Sequence, residues 1–178
     1  KVVKFNDGWI QMIQDNMVSI LGWIKYEKVK WLQNNNPEVP GIVYKLAQDD
    51  EKARKLDNVR KLWDAILEIR PVKNVFMDGD INRESYAVDH FIPRNFVMND
   101  ELWNLMPMDP IQNMKKNKKL PVWEDYFGQF ANNQFMMYEM IFEKPGLLKL
   151  YKQCYKDNLH SIWAIQELYR QGNSPTEF

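Results

Sequence analysis

Residues 86–121 read YAVDHFIPRNFVMNDELWNLMPMDPIQNMKKNKKLP and carry the most informative pattern of the chain. Residues 86–92 are rich in β-branched and aromatic side chains and stop at Pro93, which is typical of a strand. Residues 102–106 are expected to form the partner strand, and residues 111–119 a short helix that ends before Pro121. The stretch therefore predicts a compact strand–strand–helix unit.

Helical patterns precede this unit. Apolar residues recur at spacings of three and four from Ile10 to Ile24, which predicts one long helix ending before Pro37. A short helix is expected after Pro40, and a further helix over residues 52–70 that Pro71 ends.

Helical patterns also follow the unit. Aromatic and aliphatic residues fall at helical spacing from Val122 onward, and again over residues 147–165 after the break at Pro145 and Gly146. We therefore expect an α+β fold, mostly helical, with a small core inserted between helical segments. The expected segments are an N-terminal helical one (1–70), the core (71–121) and a C-terminal helical one (122–178), packed into one compact domain.

The composition limits the classes of function. Lys plus Arg and Asp plus Glu each number 24, so the formal net charge is zero. A uniformly basic coat for nucleic acid is excluded, and any phosphate-binding surface must be local. The hydrophobic fraction of 45% is sufficient for a packed core. The single cysteine, Cys154, excludes an intramolecular disulfide and a cysteine-based zinc cage, and we expect it to be a small buried residue.

No segment has the ~18 uncharged apolar residues that a membrane span requires, and residues 1–5 do not resemble a signal peptide. The chain starts at Lys1 rather than Met. We therefore expect a fragment of a longer protein, located in the cytoplasm and without a membrane partner.

Four residues of the opening stretch carry a recognisable pattern: the pair Asp89 and His90, then Asn104, then Asn113. The spacings from His90 are 104 − 90 = 14 and 113 − 90 = 23. In these spacings the stretch resembles the HNH (His-Me finger, ββα-metal) nucleases, and in particular the HNH domain of type II CRISPR effector nucleases. The agreement extends to Ile92-Pro93, Phe96, Asp100, Lys116 and Leu120-Pro121, and covers about 36 of the 178 residues.

The resemblance implies a ββα-metal core and a role for each of the four residues. His90 is expected to be the general base, because an ordinary histidine pKa near 6.5 leaves much of it neutral at pH 7. Asp89 and Asn113 offer hard oxygen ligands that suit Mg²⁺ or Mn²⁺. Asn104 is expected to hold the two halves of the motif together by hydrogen bonds and so to orient His90.

Basic residues near the motif are candidates for contact with phosphate. Lys116 follows Asn113 by three residues and is expected on the same helical face, with a part in catalysis. Lys115, Lys118 and Lys119 add a local basic patch, and Arg94 follows the Asp-His pair. A solvated surface is an equally good interpretation for Lys115, Lys119 and Arg94.

The sequence departs from many members of the family, which bind a structural zinc through two cysteine pairs. This region has no cysteine, so no structural zinc is expected. The resulting hypothesis is a metal-dependent endonuclease that cuts nucleic acid, DNA in preference to RNA, in a setting such as phage defence. Two alternatives stay open: a catalytically inactive HNH-fold interaction module, and an RNA-cleaving nuclease of the toxin type.

Overall fold

The computed structural model describes residues 4–35, 55–94, 96–97, 100–116 and 119–178. The chain divides into two compact units, Lys1–Glu51 and Lys52–Phe178. The short helix expected after Pro40 lies outside the described residues. Within the described ranges, every helix is too short or too polar to cross a membrane.

The first unit contains two helices, α1 (Asp7–Asp15) and α2 (Met17–Asn35). The prediction of one continuous helix was wrong, because Asn16 interrupts it with a non-helical backbone and donates its side-chain Nδ2 to the carbonyl of Met12 at 2.9 Å. Asn6 caps α1 by accepting the backbone N–H of Trp9 at 3.0 Å. No residue of either helix is buried, so the expected apolar stripe does not form a core in this part of the chain.

The second unit is built from helices around one main core. These are α3 (Asp57–Ile69), α4 (Pro110–Lys116), α5 (Trp123–Glu143) and α6 (Pro145–Asn158), followed by a π-helical turn at Ala164–Leu168. α6 packs against both α3 and α5. Helix α3, placed by the sequence in the N-terminal segment, thus belongs to the unit that contains the strands.

The main core explains two features of the second unit. It is filled by apolar side chains of α3, α5 and α6, among them Leu62, Trp63, Met137, Ile141 and Cys154. Burial raises the pKa of the Cys154 thiol to about 12, so it remains a neutral, small apolar residue at physiological pH. The prediction of one helix over residues 147–165 was wrong, because Leu159 adopts an extended conformation (φ −146°, ψ 98°) and ends α6.

The strands form a single antiparallel pair, β1 (Ala87–His90) and β2 (Leu105–Met108). Ala87 lies opposite Met108, and His90 opposite Leu105. The second strand therefore starts later than expected, because Leu102–Asn104 forms a 3₁₀ turn. Helix α4 follows directly and packs against β1. This arrangement confirms the predicted α+β fold with a small strand–strand–helix unit.

A second apolar cluster supports the strands from the side of α5. It consists of Val75, Phe91, Met106, Met108 and Phe130. The rings of Phe91 and Phe130 stack with centroids 4.1 Å apart and an interplanar angle of 8°. Because Phe91 directly follows His90, this stack fixes the end of β1 against a long helix.

Candidate active site at the end of the first strand

Asp89 and His90 occupy the end of β1 and face each other. Successive side chains of an extended strand leave opposite faces, so neighbours meet only where the strand ends or bends. Here Nδ1 of His90 lies 3.5 Å from Oδ1 of Asp89. The imidazole is buried, with 1% of its side chain exposed, while 22% of the Asp89 side chain reaches solvent. The bend that the motif requires is therefore present at this point.

Asp100 holds the other nitrogen of the same ring. Its Oδ1 lies 3.0 Å from Nε2 of His90. With Asp89 at Nδ1, this carboxylate favours the form of the ring in which both nitrogens carry a proton and donate. Asp100 is one of the residues in which the sequence resembles the HNH family, but the resemblance assigned it no role. Its contact with His90 joins residues ten apart, which no periodic pattern indicates.

The charges around the ring control its proton affinity. Burial of His90 disfavours the charged imidazolium and so lowers its pKa. The hydrogen bonds that the ring donates to Asp100 and Asp89, together with the negative charge of these carboxylates, outweigh the effect of burial, so the pKa of His90 is raised above its usual 6.5. For Asp89, burial raises the pKa, but hydrogen bonds from His90 and the Lys116 charge outweigh it and bring the pKa to about 2. His90 is thus a stronger base than the free side chain, and Asp89 is ionised throughout the neutral range.

Asn104 binds the segment that follows His90. The side chain of Asn104 is fully buried. Its Oδ1 accepts the backbone N–H of Ile92 at 2.8 Å, and its Nδ2 donates to the carbonyl of Ile92 at 2.9 Å. The backbone carbonyl of Asn104 also accepts the N–H of Phe91 at 2.8 Å. The two-point contact extends the antiparallel pairing beyond the end of β1 and fits the bracing role expected from the sequence.

Helix α4 brings Lys116 to Asp89. Asp109 caps the helix by accepting the N–H groups of Ile111 at 2.9 Å and Gln112 at 3.0 Å. From the last turn, Nζ of Lys116 lies 3.1 Å from Oδ2 of Asp89 and donates to the carbonyl of His90. Only 6% of the Lys116 side chain is exposed, so its ammonium serves as the counter-ion of a partly buried carboxylate.

Asn113 lies one helical turn before Lys116 and therefore on the same face of α4. Its side chain is half-buried and makes no hydrogen bond to the residues that the structure describes. The amide oxygen is consequently available to a ligand at the junction of α4 and β1, the position where the sequence expects a metal ligand.

The other predicted cationic residues separate into two groups. Nε of Arg94 lies 3.7 Å from Oδ1 of Asp100, with 40% of its side chain exposed, so Arg94 stands beside the His90 site. Lys115 and Lys119 are exposed, which agrees equally with a contact to phosphate and with a solvated surface. Lys118 lies outside the described residues.

The donor set at the end of β1 fits a hard divalent cation better than a soft one. No group of three or more His, Cys, Asp or Glu side chains suited to a metal occurs in the described ranges. Asp89 and Asn113 instead offer one carboxylate and one amide oxygen, a small set of the kind Mg²⁺ completes with water and phosphate oxygens. Both oxygens of Asp89 already have partners, Lys116 and His90, so a bound cation would compete with Lys116.

A carboxylate that the sequence interpretation missed fixes the segment carrying Asp100. Glu101, 2% exposed, accepts the backbone N–H of His160 at 2.9 Å and that of Ser161 at 3.1 Å. Asn158 donates its Nδ2 to the carbonyl of Asp100 at 3.0 Å. The end of α6 and the start of the next turn thereby position Asp100. A second acidic residue directly after a motif aspartate is the only sequence signal that could have suggested this.

The geometry defines a class of site: a buried histidine held by two carboxylates on an antiparallel strand pair, with a short helix that supplies an amide and a lysine. Residues 75–122 match the family model described as HNH endonuclease. This match confirms the resemblance seen in the sequence: the segment is similar to the HNH endonucleases, a class of nuclease that acts on nucleic acid. Searches of curated proteins and of solved structures gave no match.

Proposed function

We propose that the unit Lys52–Phe178 is a metal-dependent endonuclease in which His90 is the general base. The observation that carries this proposal is the position of the imidazole. Asp100 lies 3.0 Å from Nε2, and Nδ1 is directed toward the carboxylate expected to bind metal. Asp100 would orient the ring through Nε2, and Nδ1 would exchange its contact with Asp89 for a water molecule, which is the arrangement of a positioned base.

His90 would take the proton of a water molecule at Nδ1, and its raised pKa strengthens it for this step. The ring is buried, so rotation of the Asp89 carboxylate away from the ring is the movement that uncovers Nδ1. Asp100 then stabilises the imidazolium, as a carboxylate at the second nitrogen does in other histidine-based sites. Asn104 acts as a positioning residue, since it holds the backbone of Ile92 two residues after the base.

Asp89 and Asn113 are the residues that would hold the cation, Mg²⁺ or Mn²⁺. When bound, such an ion stabilises the charge of the phosphate and of the leaving oxygen. Lys116 leaves Asp89 in that state, and its ammonium is then free to meet a phosphate oxygen next to the site. Lys115, Lys118, Lys119 and Arg94 are proposed to contact more distant phosphates.

DNA is the proposed substrate, on the resemblance to HNH domains that cut DNA. A role in phage defence and a cytoplasmic location remain predictions from the sequence. The two rival readings, an inactive interaction module and an RNA-cleaving nuclease, predict different products in one assay. The experiment below therefore distinguishes them.

The experiment uses the two histidines of the chain as a matched pair. The full chain is incubated with supercoiled plasmid and, separately, with a labelled RNA, in Mg²⁺, Mn²⁺ or EDTA. His90→Ala is expected to lower the cleavage rate by about 10²–10⁴-fold, the contribution of a positioned base. His160→Ala is the control, because the His160 side chain is exposed and Glu101 binds only the backbone N–H of His160. Its ring nitrogen Nε2 lies 3.1 Å from the carbonyl oxygen of Asp157, which is not part of the motif.

Each outcome assigns a function. Cleavage of plasmid that depends on metal and on His90, but not on His160, supports the proposal. Cleavage of RNA alone favours the toxin-type nuclease. No cleavage of either substrate by a folded chain favours the interaction module, and undiminished cleavage by His90→Ala refutes the assigned base.

A further inference from the structure

An open groove of about 810 Å³ runs beside α6, away from the residues of the HNH motif. Its walls come from α6, the end of α5 and the segment after Leu159. The lining includes three lysines, Lys149, Lys152 and Lys156, with tyrosine, glutamine and aliphatic side chains. No Asp or Glu lines it, although the chain as a whole has equal numbers of acidic and basic residues.

The three lysines form a row on one face of α6. Their spacings of three and four residues place them on successive turns, so the row spans about 10 Å at 1.5 Å per residue. None of them pairs with a carboxylate among the described residues. The only acidic residue of α6, Asp157, is already paired with Lys55 at 3.0 Å. The positive charge of the row is therefore not balanced within the groove.

A buried hydroxyl adds a second, independent indication of a ligand. Tyr169 lines the groove and is 4% exposed, yet its hydroxyl has no hydrogen-bond partner in the part of the chain that the structure describes. Burial, and then the neighbouring Tyr151, raise the pKa of Tyr169 well above its usual value, so the hydroxyl stays protonated and can donate. The partly exposed ring of Tyr155 stands between the lysines on the same wall.

The groove offers donors and positive charge, and a polyanion is the ligand that fits. We propose that this α6 groove binds the phosphate backbone of the nucleic acid that the HNH core cuts. A strand carries one charge per 3.4 Å of helix axis, so a 10 Å row of lysines faces about three phosphates. The row of lysines ends near the residues around His90, because Asn158, two residues beyond Lys156, donates to the backbone carbonyl of Asp100 at 3.0 Å. This inference rests on the proposed function.

The test measures binding without cleavage. Fluorescence anisotropy with a labelled DNA duplex in EDTA gives the dissociation constant over a series of salt concentrations. The triple variant Lys149→Ala, Lys152→Ala, Lys156→Ala is expected to flatten the salt slope by about 2.7, since each duplex phosphate contact contributes about 0.9. Between 50 and 200 mM salt, the wild type then loses about 40-fold more affinity than the variant.

A second triple variant has the same change of charge elsewhere. Lys4→Ala, Lys28→Ala and Lys61→Ala remove three exposed lysines outside the groove, and the salt slope is expected to stay near that of the wild type. Arginine at the three groove positions keeps the charge and is expected to preserve the slope. A loss of slope that is equal in the groove and control variants overturns the proposal, because it would reflect net charge alone.

The failure of this inference is distinct from failure of the proposed function. If the wild type cleaves DNA through His90 while the groove variant keeps the full salt slope, only the α6 groove assignment is overturned. If the folded wild type neither binds nor cleaves nucleic acid, both are overturned. Circular dichroism of each variant establishes that the compared chains are folded.

Discussion

Replacing Asn104 by alanine removes both hydrogen bonds that hold the backbone of Ile92. The bonds are 2.8 and 2.9 Å long, and the Asn104 side chain is fully buried. Two such bonds contribute about 1–3 kcal/mol net, and each group left unsatisfied by the truncation costs more when water cannot reach it. Ile92 is half-buried, so part of that cost is relieved by solvent. We expect the free energy of unfolding to fall by about 2–4 kcal/mol.

The measurement is urea unfolding at 25 °C, followed by circular dichroism and tryptophan fluorescence, with the cleavage rate and Mg²⁺ affinity measured under folded conditions. Asn113→Ala is the matched control, because the same atoms are removed from a half-buried side chain without a hydrogen bond to a described residue. Its free energy of unfolding is expected to change by less than about 0.5 kcal/mol. Its Mg²⁺ affinity should fall, while that of folded Asn104→Ala should not.

The two substitutions are thus distinguished by their effects: Asn104→Ala should lower the free energy of unfolding, and Asn113→Ala should lower the Mg²⁺ affinity. Asn104→Asp adds a further test, since it keeps an acceptor for the N–H of Ile92 but loses the donor to the Ile92 carbonyl. Its free energy of unfolding should be lower than that of the wild type, and its cleavage rate should fall. If Asn104→Ala unfolds within 0.5 kcal/mol of the wild type, a threshold of about the size of ordinary surface effects, the bracing role is refuted.

Three other changes test the surroundings of the base. The cleavage rate should rise with pH as His90 loses its proton, and because the pKa of His90 is raised, this rise should occur above about pH 6.5. Asp100→Asn should move the rise to lower pH. A pH profile that does not move contradicts the contact between Asp100 and His90. Glu101→Gln should destabilise the chain by about 1–3 kcal/mol and expose residues after α6 to protease, and equal protease resistance contradicts the anchoring role. Lys116→Met should tighten Mg²⁺ binding in calorimetry because it frees the Asp89 carboxylate, while lowering the cleavage rate; weaker Mg²⁺ binding contradicts the counter-ion role.

The sequence predicted the central unit because its chemistry depends on local spacing. Asp89 and His90 are adjacent, Asn113 and Lys116 share one short helix, and the chain between them needs only to fold back once. A strand pair with a following helix brings these positions together with few alternatives. The pairing of Asn104 with Ile92 lies in the same hairpin and fits the bracing role that the family resemblance implies.

The helical boundaries were harder to predict because single residues decide them. A 3.6-residue pattern continues through Asn16, where α1 ends and the side chain of Asn16 donates to the carbonyl of Met12. The pattern likewise continues through Leu159, where Glu101 draws the N–H groups of the next residues out of the helix. In the second case the competing acceptor is 59 residues from His160 and 60 residues from Ser161. No local pattern carries that information.

The sequence also understated the part that the C-terminal helices play in the site. Asp100 contacts His90, while Asn158 binds the backbone of Asp100 and the adjacent Glu101 binds the turn after α6, so these contacts help to position Asp100. The orientation of the base therefore depends on helices that lie outside the residues matched by the family model, 75–122. A core cut at residue 122 would keep Asp89, His90, Asn104 and Asn113 but lose the anchor of Asp100. It would also lose Phe130, whose ring stacks on Phe91 at the end of β1. We therefore expect such a fragment to lose both the cleavage activity and the ordered strand pair, and circular dichroism that shows an intact fold would contradict this expectation.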